Sequence, residues 1–161
     1  MEEIADILRR ADAVRLGLRG DEHPYVVPMS FGMEATGGRI AIYVHGAKEG
    51  LKSDLIARDP RVCIEADIFH GNIETAGGGR RGVSTVYESV IGFGECERVH
   101  GAEAARGLGL ILAHSGFEGF DYDRGAAESA AVWKISLDRV SGKRRPPEEQ
   151  GGRLSEARER A

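Results

Sequence analysis

The chain has 161 residues, 41% of them hydrophobic and 30% charged, which suits one soluble, globular domain with a real core. Its net charge of −4 argues against bulk nucleic-acid binding, and no apolar run approaches the length that spans a bilayer. Cys63 and Cys96 are the two cysteines and lack C-x-x-C spacing, so a disulfide scaffold and a structural zinc site are disfavoured and a reducing cytoplasm is the default expectation.

The opening residues M-E-E-I-A-D-I-L-R-R are acidic and then amphipathic, unlike a signal peptide. Ile4, Ile7, Leu8 and Ala11 recur at helical spacing and predict a helix over 2–12. Val14, Leu16 and Leu18 alternate as in a strand, and Gly20 to His23 reads as a turn. Tyr25 to Phe31 reads as a second strand. Pro28 inside it cannot donate to a sheet ladder and so implies an edge, a bulge or a backbone facing something other than a strand. After the Gly37-Gly38 turn, Arg39 to His45 completes an expected meander of three antiparallel strands. A helix over 50–58 follows, stopped by Asp59-Pro60. Arg61 to Asp67 reads as a fourth strand and 71–82, with G-G-G-R-R-G, as a long flexible connection.

Val83 to Val99 is rich in β-formers and broken by Gly92 and Gly94, which predicts one long bent strand or two. Ala104, Leu108, Ile111 and Leu112 mark a helix face. Residues 115–129 are polar and glycine-rich, and Ala131 to Val140 is a last strand carrying Trp133. The expected domain is 1–145, with a polar, mobile tail over 146–161. Without a βαβ alternation, a doubly wound sheet is disfavoured. Six or seven strands and few helices favour a small, mainly β barrel.

The chemistry-bearing stretch is Y-V-H-G-A-K-E-G-L-K-S-D-L, Tyr43 to Leu55. A strand that empties into a glycine-bearing loop at a helix N-terminus makes an anion site from free N–H groups and the helix dipole. Lys52 adds a full charge, and Ser53 stands beside it. The spacing is neither G-x-x-x-x-G-K-[ST] nor G-x-G-x-x-G. A solvated surface lysine is the bland alternative for Lys52. His45 is placed to bond a ligand ring or phosphate, or simply to cap its strand, and Gly46 permits close backbone approach. His70 allows a catalytic or substrate-contacting role, but spacing alone favours an exposed loop histidine. His23, His100 and His114 carry no signal, and no His/Cys set fits zinc. Cys63, between Val62 and Ile64, reads as core, and so does Trp133. Ser89 lies within a strand and not on a nucleophile elbow.

Four segments in order resemble the pyridoxamine 5′-phosphate oxidase-related flavoproteins, most of all their nitroimidazole-resistance branch. They are P-Y-V-V-P-M-S-F (Pro24 to Phe31); I-Y-V-H-G-A-K-E-G-L-K-S-D-L (Ile42 to Leu55) with D-P-R-V-C-I-E (Asp59 to Glu65); Y-E-S-V-I-G-F-G-E (Tyr87 to Glu95); and W-K-I-S-L-D-R-V-S-G-K (Trp133 to Lys143). The resemblance implies a six- to seven-stranded antiparallel split β-barrel that dimerises and binds FMN at the subunit interface. It implies that Pro28, Met29 and Ser30 run along the flavin edge. His45, Gly46 and Ala47 would contact flavin and ribityl chain, and Lys52 with Ser53 the phosphate. Ser89 and Val90 would approach the flavin, from the other subunit in one arrangement. Trp133 would pack near the cofactor, and His70 would lie near the ring as the catalytic candidate.

The arginine-histidine signature of the true oxidase is not evident near the C-terminus, which argues against vitamin-B6 oxidation. The expected activity is reduction of small planar acceptors such as nitroaromatics by an FMN-dependent oxidoreductase. A non-enzymatic flavin or haem binder, and a deazaflavin-dependent reductase, stand as alternatives.

Overall fold

The computed structural model describes residues 1–77, 80–120 and 130–145. Among them are α1 (Glu2–Arg10), β1 (Val14–Leu18), β2 (Tyr25–Met29), β3 (Phe31–Thr36), β4 (Arg39–Gly46), α2 (Leu51–Arg58), β5 (Arg61–Gly77), β6 (Arg80–Val99), α3 (Gly101–His114) and β7 (Ala131–Arg145). The seven strands form one antiparallel sheet in the order β2-β1-β5-β6-β7-β4-β3. The fold is mainly β, a split barrel whose two edges, β2 and β3, are joined through Ser30.

The expected meander is corrected here. The segment from Tyr25 is two strands, not one. β2 pairs with β1 and β3 pairs with β4, so the chain crosses from one edge of the sheet to the other within one residue. Met29 and Phe31 both point into the core, at 9% and 0% exposure. That burial on both sides of Ser30 makes the crossing part of the packed interior. Pro28 lies on edge strand β2, opposite Arg15, where a missing N–H is tolerated.

The flexible connection expected over 71–82 is also corrected. β5 and β6 run on together as a hairpin arm, paired out to Gly77 and Arg80, with one register shift between Phe69 and Gly71. Ile73 and Val86 are buried at 2% and 3% exposure, so the arm has an apolar side that its glycines conceal from a periodicity count. β6 is accordingly a single strand, and its register against β7 slips between Phe93 and Gly94. β7 extends past Val140 to Arg145 because its ladder with β6 continues through exposed, polar residues. The tail over 146–161, residues 121–129 of the polar stretch, and Gly78-Gly79 lie outside the described residues.

The main core gathers Leu8, Val14, Leu16, Phe31, Ile42, Val44, Ile64, Val90, Trp133 and Ile135. Helix α1 buries Ala5, Ile7 and Leu8 against it. Helix α3 packs on the other side of the β4 end, where Tyr43, Val99, Ile111 and Val132 form a second cluster. These two layers hold the end of β4, and with it the glycine-bearing loop before α2, against β7.

Candidate functional site

β4 delivers His45 and Gly46 to the end of the sheet, paired there with Val132 and Ala131 of β7. Gly50, at φ 113, turns the chain into α2 as its N-cap, a backbone conformation that favours glycine. No side chain caps α2, so its first N–H groups stay open to a ligand. Asp54 in the first turn opposes an anion there, which gives Lys52 more of the charge to supply.

The Lys52 side chain turns back from the helix toward the sheet. Its Nζ lies 4.6 Å from the centroid of the Trp133 ring and 3.7 Å from Met29 Sδ. A Cβ on Gly46 would overlap that same Nζ and would sit 3.8 Å from the Trp133 ring. A side chain on Gly46 would therefore displace the ammonium from this seat. Among the described residues Lys52 makes no carboxylate ion pair. Burial lowers its pKa, and the nearby Cys96 thiol acts weakly the other way. A partly desolvated cation held by an indole, a thioether and a backbone is poised to gain from an anionic partner.

His45 keeps a solvent-exposed edge, and its pKa is lowered first by the desolvation of its inner side and second by the Lys52 charge. The Ser53 hydroxyl donates to the Ala47 carbonyl at 3.3 Å, which ties the loop to the first turn of α2. Pro28 and Ser30 flank Met29 and are exposed. The structure thus brings together Met29, His45, Gly46, Ala47, Lys52, Ser53 and Trp133, with Pro28 and Ser30 beside them.

Cys96 belongs to the same place and went unnoticed in the sequence. It is 2% exposed, and burial pushes its thiol up to about 12 while Lys52 pulls the other way. A neutral thiol beneath the ammonium adds no competing charge. Its signal was alternation, since Val90, Gly92, Gly94 and Cys96 share the buried parity of β6.

Ser89, Val90 and His70 lie elsewhere in the chain. Ser89 faces outward on β6, between Asp67 of β5 and Lys143 of β7. Val90 is fully buried in the main core, so only its backbone is offered to a ligand. His70 belongs to an ionic cluster around Glu88, with Arg10 and Arg144. A separate cleft of about 560 Å³ opens where Cys63 and Phe93 stand beside Gly17, Leu18 and Asp138. It contains none of the loop residues. Among the described residues, no group of three His, Cys, Asp or Glu is arranged for a metal. Nor is any helix long and apolar enough to cross a membrane.

The split barrel seats Lys52, in the first turn of α2, against the glycine-bearing end of β4, a donor set chemically suited to an anion. The sequence model of the pyridoxamine 5′-phosphate oxidase family matches residues 1–144, and the chain belongs to that family. Among solved structures it is similar to a candidate 5-nitroimidazole antibiotic resistance protein from Bacteroides thetaiotaomicron. The identity is 30% and the TM-score 0.75, covering 88% of this chain and 81% of that one. The flavocytochrome Anf3 from Azotobacter vinelandii shares the fold at 20% identity and TM-score 0.70, over 91% of this chain and 68% of that one. A FAD- and haem-binding protein from Mycobacterium smegmatis shares it at 17% identity and TM-score 0.69, over 89% and 70%. Among curated proteins no sequence relative matches.

Proposed function

We propose that this protein binds FMN and serves as an oxidoreductase for small planar acceptors such as nitroaromatics. The observation that carries the reading is the Lys52 ammonium, partly desolvated, without a carboxylate partner among the described residues, and seated against Gly46 and Trp133. The donor set suits a phosphate monoester: one lysine, the open N-terminus of α2, and a loop whose glycines let the backbone come close. Lys52 and Ser53 bind the phosphate, and His45, Gly46 and Ala47 line the path from phosphate to ring. Pro28 and Met29 lie on edge strand β2, with Ser30 directly after it, next to that path. Bound flavin supplies the redox chemistry, and the protein supplies position and electrostatics. The similarity to the candidate nitroimidazole resistance protein supports the acceptor class.

A homodimer is part of this reading. The outward face of β5, β6 and β7 carries exposed Phe69, Ile91 and Phe93. On the β5 side Glu65 and Asp67 share the single charge of Arg15; on the β7 side are Arg139, stacked 4.4 Å over Phe93, and Lys143. A two-fold axis parallel to β6 sets the acidic flank of one copy against the basic flank of the other. Ser89 then faces the second copy, as a cofactor shared between subunits requires.

The test is the absorbance spectrum of purified protein with and without added FMN, followed by mass analysis of any released small molecule. Flavin bands with a mass matching FMN are expected. Colourless protein that takes up no FMN, a Soret band, or a deazaflavin mass would each overturn the assignment. Mixing reduced holoprotein with a nitroaromatic then reads out turnover.

A further inference from the structure

Outside the Lys52 site, the described residues hold one buried acidic side chain, Glu88, at 7% exposure. Its two oxygens meet four donors. Oε1 accepts from Arg10 Nη1 at 2.9 Å and lies 2.9 Å from His70 Nε2. Oε2 accepts from Arg10 Nη2 at 2.9 Å and from Arg144 Nε at 2.7 Å. We propose that Glu88 is a positioning residue for His70: it holds the imidazole as the Nε2–H tautomer and leaves Nδ1 as the atom that accepts a hydrogen bond from a ligand N–H or O–H.

The argument is one of donor and acceptor count. An ionised carboxylate accepts only, at about four lone-pair sites. Three of the four close contacts are guanidinium N–H groups, so the fourth atom, Nε2, must also carry hydrogen. Arg10 first, then His70 and Arg144, hold the Glu88 carboxyl down to about 2 against its burial, so it is ionised at neutral pH. A neutral imidazole has one N–H, and Nδ1 is therefore the acceptor. It makes no hydrogen bond among the described residues, and the His70 side chain is 39% exposed.

Local backbone supports the aim of the ring. His70 sits where the β5–β6 register slips between Phe69 and Gly71, and Gly71 has φ 116. A bulge of this kind re-aims a side chain. The charged groups of the cluster that holds Glu88 come from three elements: Arg10 and Asp6 on α1, Glu88 on β6 and Arg144 on β7. That Nδ1 serves the flavin chemistry rests on the function proposed above; the tautomer does not.

The experiment is a two-bond proton–nitrogen correlation spectrum of histidine-labelled protein at about pH 8, above the ordinary histidine range. His70→Gln identifies the His70 signals among the five histidines. The expected result is a protonated, slowly exchanging Nε2 and a bare Nδ1. Glu88→Gln is expected to give a tautomer mixture and fast Nε2–H exchange. Arg144→Gln, which keeps the Glu88–His70 contact, is expected to retain the wild-type pattern. A protonated Nδ1 in the wild type, or an unchanged His70 pattern in folded Glu88→Gln, overturns the proposal. If Glu88→Gln does not fold, the wild-type spectrum and Arg144→Gln still decide it. In FMN-loaded protein Glu88→Gln is expected to lower kcat for acceptor reduction about tenfold, the scale carried by partners that orient a functional histidine. A protein that binds no FMN would sink the flavin reading while leaving the spectrum to decide the tautomer.

Discussion

Lys52→Met tests the anion site most directly. Methionine keeps an unbranched stem against Trp133 and Met29 and removes only the charge. A hydrogen bond to a charged group is worth about 1.5–3 kcal/mol, which at about 1.4 kcal/mol per decade predicts a roughly 12- to 140-fold rise in the Kd for FMN. The structure argues for the upper half of that range. The ammonium has already lost part of its hydration, and burial has lowered its pKa from the ordinary 10.5, so a phosphate restores stabilisation that solvent no longer gives. The same shift predicts a pH effect. Wild-type affinity should begin to fall below the ordinary lysine range as the ammonium loses its proton, and the Lys52→Met variant should show no such fall. The assay is titration of apoprotein with FMN, followed by the emission of Trp133, the single tryptophan, and by calorimetry. A Kd within about twofold of wild type would refute the reasoning, because a contact of that strength is worth less than half a kcal/mol.

Gly46→Ala should leave the fold nearly intact, changing stability by less than about 1 kcal/mol, because the group it strikes is the far end of a flexible side chain. It should still raise the FMN Kd roughly fivefold or more, since roughly 1 kcal/mol of strain at a crowded position falls on Lys52. Unchanged FMN affinity would show that the ammonium need not stay where Gly46 lets it sit. Glu88→Gln should lower stability by about 2 kcal/mol at neutral pH, below the range for fully buried pairs because both arginines reach solvent. The Glu88 carboxyl is held down from 4.5 to about 2, so its contribution is complete above the unfolded carboxylate range and is lost as pH falls through that range toward 2. Urea midpoints of wild type and variant should therefore draw together as pH falls below about 4 and meet only near pH 2; a gap that does not narrow over that span would mean the loss is not ionic. Ile91→Glu places a charge at the centre of the outward β6 face and should yield monomers in light scattering, whereas an unaltered dimer would move the interface elsewhere.

Much of the local structure was readable because it rests on nearest-neighbour physics. The apolar alternation of Val14, Leu16 and Leu18 gave β1, and Asp59-Pro60 ended α2 where proline chemistry requires. The Lys52 loop stood out through its glycines and its charge. The acid at Glu88 was readable in principle, since it shares buried parity with Val86 and Val90. Other features had no local signal. Nothing around Ser30 shows that β2 and β3 lie at opposite edges of the sheet, because that depends on which distant strands each one pairs with. The arm beyond Asp67 was hidden by glycines whose backbone pairs regardless of side chain.

The sequence by itself determined a mainly β domain with a glycine-bearing, lysine-carrying loop at a helix N-terminus, since hydrophobic period, glycine placement and a lysine are properties of short segments. Only the tertiary structure decided that Lys52 turns inward onto Trp133 and Met29, with Cys96 beneath it. It alone moved His70 away from that loop into the grip of Glu88, Arg10 and Arg144. Those partners lie far apart along the chain. Burial and hydrogen-bond saturation, which set their charge and tautomer, exist only once the strands have paired.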